Sequence, residues 1–255
     1  MRCASLGSGS RGNATLVEQG NTRLLVDCGF SAREARKRLA RIAVDPESLT
    51  AILVTHEHAD HIAGVRVLAR GLGVPVYLTP GTLRAAEKQL KDVDGLREFN
   101  AHEPFDVGDI EVRPFPVPHD AREPAQFVFG NGDISIGLLT DAGHVTRMMI
   151  DSLVAVDYLM LEFNHDRELL LQSSYPQGLI NRVDGDYGHL NNQQSVALLK
   201  QLNRSKLSAV AALHLSMENN SPDRVRECLA DTLGDSGVEQ QVACQEFGFN
   251  WFGES

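Results

Sequence analysis

No stretch of this chain approaches the ~20 consecutive apolar residues that a membrane-spanning helix needs, so no membrane is expected among its partners. The opening Met1-Arg2-Cys3-Ala4-Ser5-Leu6-Gly7-Ser8 has no apolar core of a secretory signal. Cysteine is sparse: Cys3, Cys28, Cys228 and Cys244 are scattered and form no CxxC pair. That argues against a disulfide framework and for reduced thiols, so a soluble cytoplasmic protein is expected. No repeat, low-complexity tract or Pro/Gly/Ser-rich linker divides the 255 residues, which predicts one domain over residues 1–255. Positive charge is also short: 24 Lys and Arg stand against 34 Asp and Glu, a net charge of −10. An acidic chain is not a typical nonspecific nucleic-acid binder, so a polyanionic substrate would need a local basic patch or bound cations. Arg33, Arg36, Lys37, Arg38 and Arg41 offer one such patch on a helix whose inner face is Ala35, Leu39 and Ile42. The other reading of it is a solvated helix face.

What the chain does have is Thr55-His56-Glu57-His58-Ala59-Asp60-His61. Core packing does not call for that density of imidazole and carboxylate. Neutral imidazole suits zinc, and aspartate oxygen completes a mixed shell for a divalent ion. The apolar Ala51-Ile52-Leu53-Val54 before it reads as a buried strand, so the cluster sits where a strand ends and a helix begins. Ligands in layered α/β folds bind at such carboxyl ends.

The remaining pattern alternates strands and helices. Residues 14–18 and 23–27 form a hairpin around Gly20-Asn21. Ser31 caps a helix to about Ile42, with Glu34 completing a capping box. Helices are expected near 62–71, 80–91, 191–202 and 222–233. Strands are expected at 74–78, 110–115, 126–129, 134–139, 158–161 and 209–213, and the two around Gly130-Asn131-Gly132-Asp133 pair as a hairpin. Two strand-rich blocks, each followed by strand–helix alternation, predict an α/β fold of two sheets packed face to face with helices outside. His119 follows Pro116-Val117-Pro118 at a strand end. Asp141 follows strand 134–139, and His214 follows strand 209–213. Each falls on the sheet edge that carries the opening cluster.

This HxHxDH signature with its three later positions resembles the metallo-β-lactamase-fold hydrolases, which implies a four-layer αβ/βα sandwich with two mixed sheets. The resemblance implies one metal held by His56, His58 and His119, a second by Asp60, His61 and His214, and Asp141 bridging them. Asp27 would orient a ligand histidine. His144, close behind Asp141, would support the ligands rather than join them. Ser8-Gly9-Ser10-Arg11-Gly12-Asn13, Pro118-His119-Asp120-Ala121, Asn164-His165-Asp166, Gly188-His189-Leu190-Asn191-Asn192 and His214-Leu215-Ser216-Met217-Glu218-Asn219-Asn220 are similar to the YycJ/WalJ group. Membership would imply a phosphodiesterase with 5′-to-3′ exonuclease activity on DNA, using two divalent ions, zinc first and manganese as the alternative.

Such ions, bridged by Asp141, would hold a hydroxide to attack phosphorus, with Asp60 part of that catalytic centre. Gly188-His189 resembles the Gly-His-Ser-Thr element of RNase Z, which makes His189 the candidate proton donor to the leaving oxygen and a substrate contact. Leu190-Asn191 stands where that element has Ser-Thr, so a helix-entry role for His189 stays open. Ser8, Ser10, Asn13 and His165 are candidate contacts to the phosphate backbone. His102 reads as ordinary surface. DNA is favoured over RNA, and nothing in the sequence speaks to the oligomeric state. The main rival is a small-molecule phosphodiesterase acting on cyclic phosphates, which the −10 charge keeps in view. A glyoxalase II-type thioesterase or lactonase would place its third histidine in Pro-Gly-His-Thr, not Val117-Pro118-His119-Asp120. A scaffold relative would tend to have lost its ligands.

Overall fold

The computed structural model describes residues 1–203 and 205–253. The first sheet holds β1 (Arg2–Gly7), β2 (Ala14–Gln19), β3 (Thr22–Val26), β4 (Ala51–Leu53), β5 (Val76–Leu78), β6 (Leu96–Glu98) and a strand from the far end of the chain, β14 (Phe249–Gly253). They run in the order β14-β1-β2-β3-β4-β5-β6. The second holds β7 (Phe105–Val107), β8 (Ile110–Pro116), β9 (Ala125–Gly130), β10 (Ser135–Leu139), β11 (Tyr158–Glu162), β12 (Ala209–Leu213) and β13 (Glu239–Val242), in reverse order β13 to β7. Each sheet has an antiparallel half that continues into a parallel half. Crossover connections of the parallel halves carry helices, and this generates the layers.

The core lies between the sheets, where Val17, Leu24, Val26 and Leu53 of the first meet Val112, Phe127, Phe129, Leu138 and Met160 of the second. On the outer face of the first sheet pack α1 (Ala32–Arg41), α2 (Ala59–Ile62), α3 (Val65–Leu72) and α4 (Pro80–Ala85). On the second pack α5 (Arg147–Leu153), α8 (Asn192–Leu199) and α9 (Pro222–Leu233). Two short helices, α6 (Arg167–Leu171) and α7 (Gln177–Val183), lie in the connection from β11 to α8. The four-layer αβ/βα architecture is as the sequence predicts. Among the described residues, no helix is long and apolar enough to cross a membrane.

Several elements differ from expectation. The helix foreseen at 62–71 is two, broken at Gly64, whose amide donates to the Cys28 carbonyl at 2.8 Å and where any Cβ would run into the Phe30 carbonyl. The helix foreseen at 80–91 ends at Ala85, and only a single turn follows, with Leu90 N–H on the Ala86 carbonyl at 2.9 Å. Ser31 caps α1 through the Glu34 amide, but Glu34 turns its carboxylate to Arg38 at 3.0 Å instead of closing a capping box. A true box forms at α8, where Asn191 and Gln194 exchange bonds. Strands β1, β13 and β14 and helices α5 to α7 were not foreseen. The pairing of β1 with β14 joins the two ends of the described chain and has no local signal.

The basic face of α1 divides: Arg33 and Lys37 are exposed to solvent, whereas Arg38 and Arg41 are engaged with the rest of the chain. Arg38 stacks on Phe30 at 3.9 Å and donates to the carbonyls of Leu6 (2.8 Å) and Gln245 (2.9 Å). Arg41 donates to the carbonyls of Glu246 (3.0 Å) and Phe247 (2.8 Å), and Arg36 pairs with Glu47. Arg38 and Arg41 thereby fasten the segment before β14 to the first sheet.

Candidate metal centre

Strands β3, β4, β10, β11 and β12 all end at one edge of the sandwich, and the chemistry-bearing side chains gather there. Asp27, Asp141 and His214, just past β3, β10 and β12, have left-handed φ values of 62°, 56° and 57°. Non-glycine residues in that region cost about 1–3 kcal/mol each. The kink turns each side chain off its strand and into the site. A close approach brings the opening loop in: Gly29 lies against the Asp60 main chain, where a side chain would collide.

Two adjoining donor sets result. His56 Nε2 lies 3.1 Å from His58 Nδ1, which lies 3.3 Å from His119 Nε2. Nitrogens about 2.0–2.1 Å from one tetrahedral zinc stand roughly 3.3 Å apart. In the second set His61 Nε2 is 3.5 Å from Asp60 Oδ2, which is 3.7 Å from His214 Nε2. Asp141 faces both: its Oδ2 is 3.4 Å from His61 Nε2, and its Oδ1 is 3.9 Å from His119 Nε2. Asp141 Oδ2 and His214 Nε2 are buried without any hydrogen-bond partner. An unpaired buried polar atom is costly, and a cation between these atoms removes that cost. The residues therefore fit divalent metal ions.

The outer nitrogens explain why the inner ones are free. Thr55 gives its hydroxyl proton to Asp27 (2.8 Å), so its oxygen accepts from His56 Nδ1 (2.9 Å). Asp27 also accepts from His61 Nδ1 (2.8 Å) and from the Thr55 amide (2.8 Å). His58 Nε2 donates to the Asp120 carbonyl (3.2 Å) and His119 Nδ1 to that of Gly188 (3.0 Å). Each tautomer is thereby set with its lone pair inward.

The residue that sequence reasoning missed is Glu162, at the end of β11. It is fully buried and accepts four hydrogen bonds: from His189 Nδ1 (2.9 Å), His214 Nδ1 (3.0 Å), and the amides of Leu190 (3.0 Å) and Ala142 (3.1 Å). Asp141, Glu162, His189 and His214 lie close enough to be taken for a further metal site. The Nδ1–H groups of His189 and His214 are already committed to Glu162, however, so this group is a hydrogen-bond relay. A lone glutamate ending a strand one sheet position from Asp141 and His214 was the available signal.

Electrostatics divide the site. Burial pushes His56 well below the ordinary imidazole value, reinforced by His61, His119 and His58, and burial lowers His119 against the pull of Asp141. Burial also opposes charge on His61 and His214, but carboxylates outweigh it. Asp141 and Asp27 hold His61 well above its usual value, and Asp141, Asp60 and Glu162 push His214 up to about 10. Burial would raise Asp60 and Glu162, yet His214 with His61 holds Asp60 far down, and His189 with His214 does the same for Glu162. In the first set burial thus favours the neutral form of His56 and His119. In the other a cation would take over the charge balance now met by protons.

The sets floor a cleft of about 360 Å³ walled by Ser10, Tyr175, Leu179, Arg182, His189, Ser216 and Asn219, among others. Of the candidate substrate contacts, Ser10 and His189 line it. Ser8 and Asn13 do not: the Ser8 hydroxyl accepts from the His214 amide (2.9 Å), and Asn13 Nδ2 reaches Asp60 Oδ2 (3.4 Å) and His61 Nε2 (3.2 Å). They brace donors instead. His165 is also off the cleft. Its main chain bridges to Asn191, and its buried ring lies between Asn164 Oδ1 (3.3 Å) and Asp184 (3.6 Å). His144 stands apart from the donors, bonded through Nδ1 to the Asp186 carbonyl at 2.9 Å. His102 is surface, as expected.

A family model described as the beta-lactamase superfamily domain matches residues 22–211. The chain belongs to that superfamily. It is a metal-dependent hydrolase of the metallo-β-lactamase fold, similar to the YycJ/WalJ group. The exodeoxyribonuclease WalJ of Streptococcus pneumoniae is 37% identical over 91% of this chain and 88% of its own. The exodeoxyribonuclease YycJ of Bacillus anthracis is 33% identical over 91% and 89%. Among solved structures, the metallo-beta-lactamase fold protein YhfI from Bacillus subtilis superposes with a TM-score of 0.75 at 18% identity, covering 99% of each chain, which is a likeness of fold.

Proposed function

We propose that this hydrolase is a dinuclear phosphodiesterase that degrades DNA from its 5′ ends. The observation that carries the chemistry is His189, on the cleft wall beside the paired donor sets and bonded through Nδ1 to buried Glu162. His56, His58 and His119 would hold one ion, Asp60, His61 and His214 the other, with Asp141 between them. Imidazole-rich donors favour zinc, with manganese the alternative. Divalent ions there supply Lewis acidity toward phosphate oxygens and make water a nucleophile near neutral pH. Glu162 engages His189 through Nδ1, which leaves Nε2 to protonate the departing oxygen. Asp27, Thr55, Asn13 and Ser8 keep the donors in place. The polynucleotide substrate, and DNA over RNA, rest on the likeness to the two exodeoxyribonucleases over nine-tenths of this chain.

The test measures bound metal in purified protein and assays it on 5′-phosphorylated single- and double-stranded DNA, RNA and bis(p-nitrophenyl) phosphate. Release of nucleotides from DNA 5′ ends, lost in His58→Ala and Asp60→Ala, is expected. Cleavage of the simple diester alone would favour the small-molecule reading. Activity that survives metal removal would sink both.

A further inference from the structure

Phosphate needs a counter-charge, and this cleft has little. Among the described residues that line it, one is Lys or Arg: Arg182, on α7. Its Nε donates to Asp120 Oδ2 at 2.5 Å. The other oxygen of that carboxylate, Oδ1, stands 3.4 Å from His119 Nε2 and 3.7 Å from His58 Nε2. Asp120 therefore spans from the arginine to the first donor set with its two oxygens, much as two non-bridging oxygens of one phosphate would. The pair is partly solvated, with 60% of the Arg182 side chain and 30% of the Asp120 side chain exposed. Such a pair contributes little to stability, so exchanging partners costs little. A guanidinium that leaves a carboxylate for a phosphate keeps its charge-assisted geometry. Arg11, Arg167 and Arg224 are paired off the cleft, with Glu246, Asp184 and Asp166.

We infer that Arg182 is the anion hook of this site: it grips the phosphate being cleaved, and Asp120 occupies that phosphate's place until substrate arrives. The inference rests on the phosphodiesterase reading and adds the residue that binds its substrate. Leu179 and Val183 carry the same helix along the cleft, so α7 presents the hook at a set height above the donor sets.

Calorimetric titration of orthophosphate into the metal-loaded protein tests this, with metal content measured on every variant. Arg182→Ala should weaken phosphate binding by about tenfold or more, Arg182→Lys should fall between, and Asp120→Asn should tighten it by removing the competing anion. KM for DNA and for bis(p-nitrophenyl) phosphate should rise together in Arg182→Ala, because a single phosphate is held. Unchanged phosphate affinity in Arg182→Ala overturns the inference, as does a KM effect confined to DNA. Asp120→Asn protein that loses metal along with phosphate also overturns it, since Asp120 is then a ligand. A wild-type protein that binds phosphate through Arg182 yet cleaves no phosphodiester defeats the nuclease reading alone.

Discussion

The two sheets build the centre in different ways. The first supplies Thr55 to His61, one contiguous loop after β4, fastened by Asp27 through Thr55 and His61. The second supplies single residues from separate strand ends and loops, His119, Asp141, Glu162, His189 and His214, tied together chiefly by Glu162. A contiguous loop can be positioned by one carboxylate and a few turns. Scattered donors depend on the register of four strands, and the hub that gathers them must be buried.

Ligand removal is the harshest way to break this comparison. His58→Ala from the loop and His214→Ala from the second sheet should both abolish DNA hydrolysis, with bound metal reduced, so the two halves are equally required. A variant pair in which one half proves dispensable would overturn that symmetry. His189→Ala should come next, lowering kcat by about 10²–10⁴-fold while metal content stays at the wild-type level. Loss of metal in that variant would make His189 a ligand.

The anchors sharpen the contrast. Asp27→Asn and Glu162→Gln should each weaken metal affinity by about 10–100-fold, read by competition with a chelator. At saturating metal Asp27→Asn should recover most of its turnover. Glu162→Gln should not, because it also releases His189. Equal recovery of both would remove the relay from the argument.

Thiol chemistry gives the mildest probe. Burial raises Cys3 and pushes Cys28 up to about 12, so neither offers thiolate near neutral pH. With Ellman's reagent at pH 8, Cys3 and Cys28 should react only on unfolding, while half-buried Cys228 and Cys244 can react in the native protein. Rapid labelling of native Cys28 would mean that the Asp27–Gly29 turn opens.

The same contrast governs what could be read from the sequence. The loop was legible because its donors are adjacent, and the sandwich because its strands are apolar runs bounded by turns. His119, Asp141 and His214 were recognisable only as strand-end residues awaiting partners. Glu162 shares that strand-end position, but nothing local separates a buried hub from a surface glutamate. His165 and His144 are candidates by residue type alone, yet the ring of one lies off the cleft beside Asn164 and Asp184 and the other is bonded to a backbone carbonyl. Arg38 and Arg41 read as solvated because the carbonyls of residues 245–247 that they hold lie more than 200 positions away.

That distance has a consequence for synthesis. Gln245, in the segment that Arg38 and Arg41 hold, accepts from the Arg11 amide (2.8 Å) and donates to the Gly12 carbonyl (2.8 Å), next to the Asn13 that steadies Asp60. A nascent chain whose residues 244–253 are still inside the ribosomal tunnel has the loop but not this brace. Metal acquisition should therefore wait until β14 has emerged and paired with β1, and stalled chains released short of β14 should be weak metal binders despite carrying all seven donors.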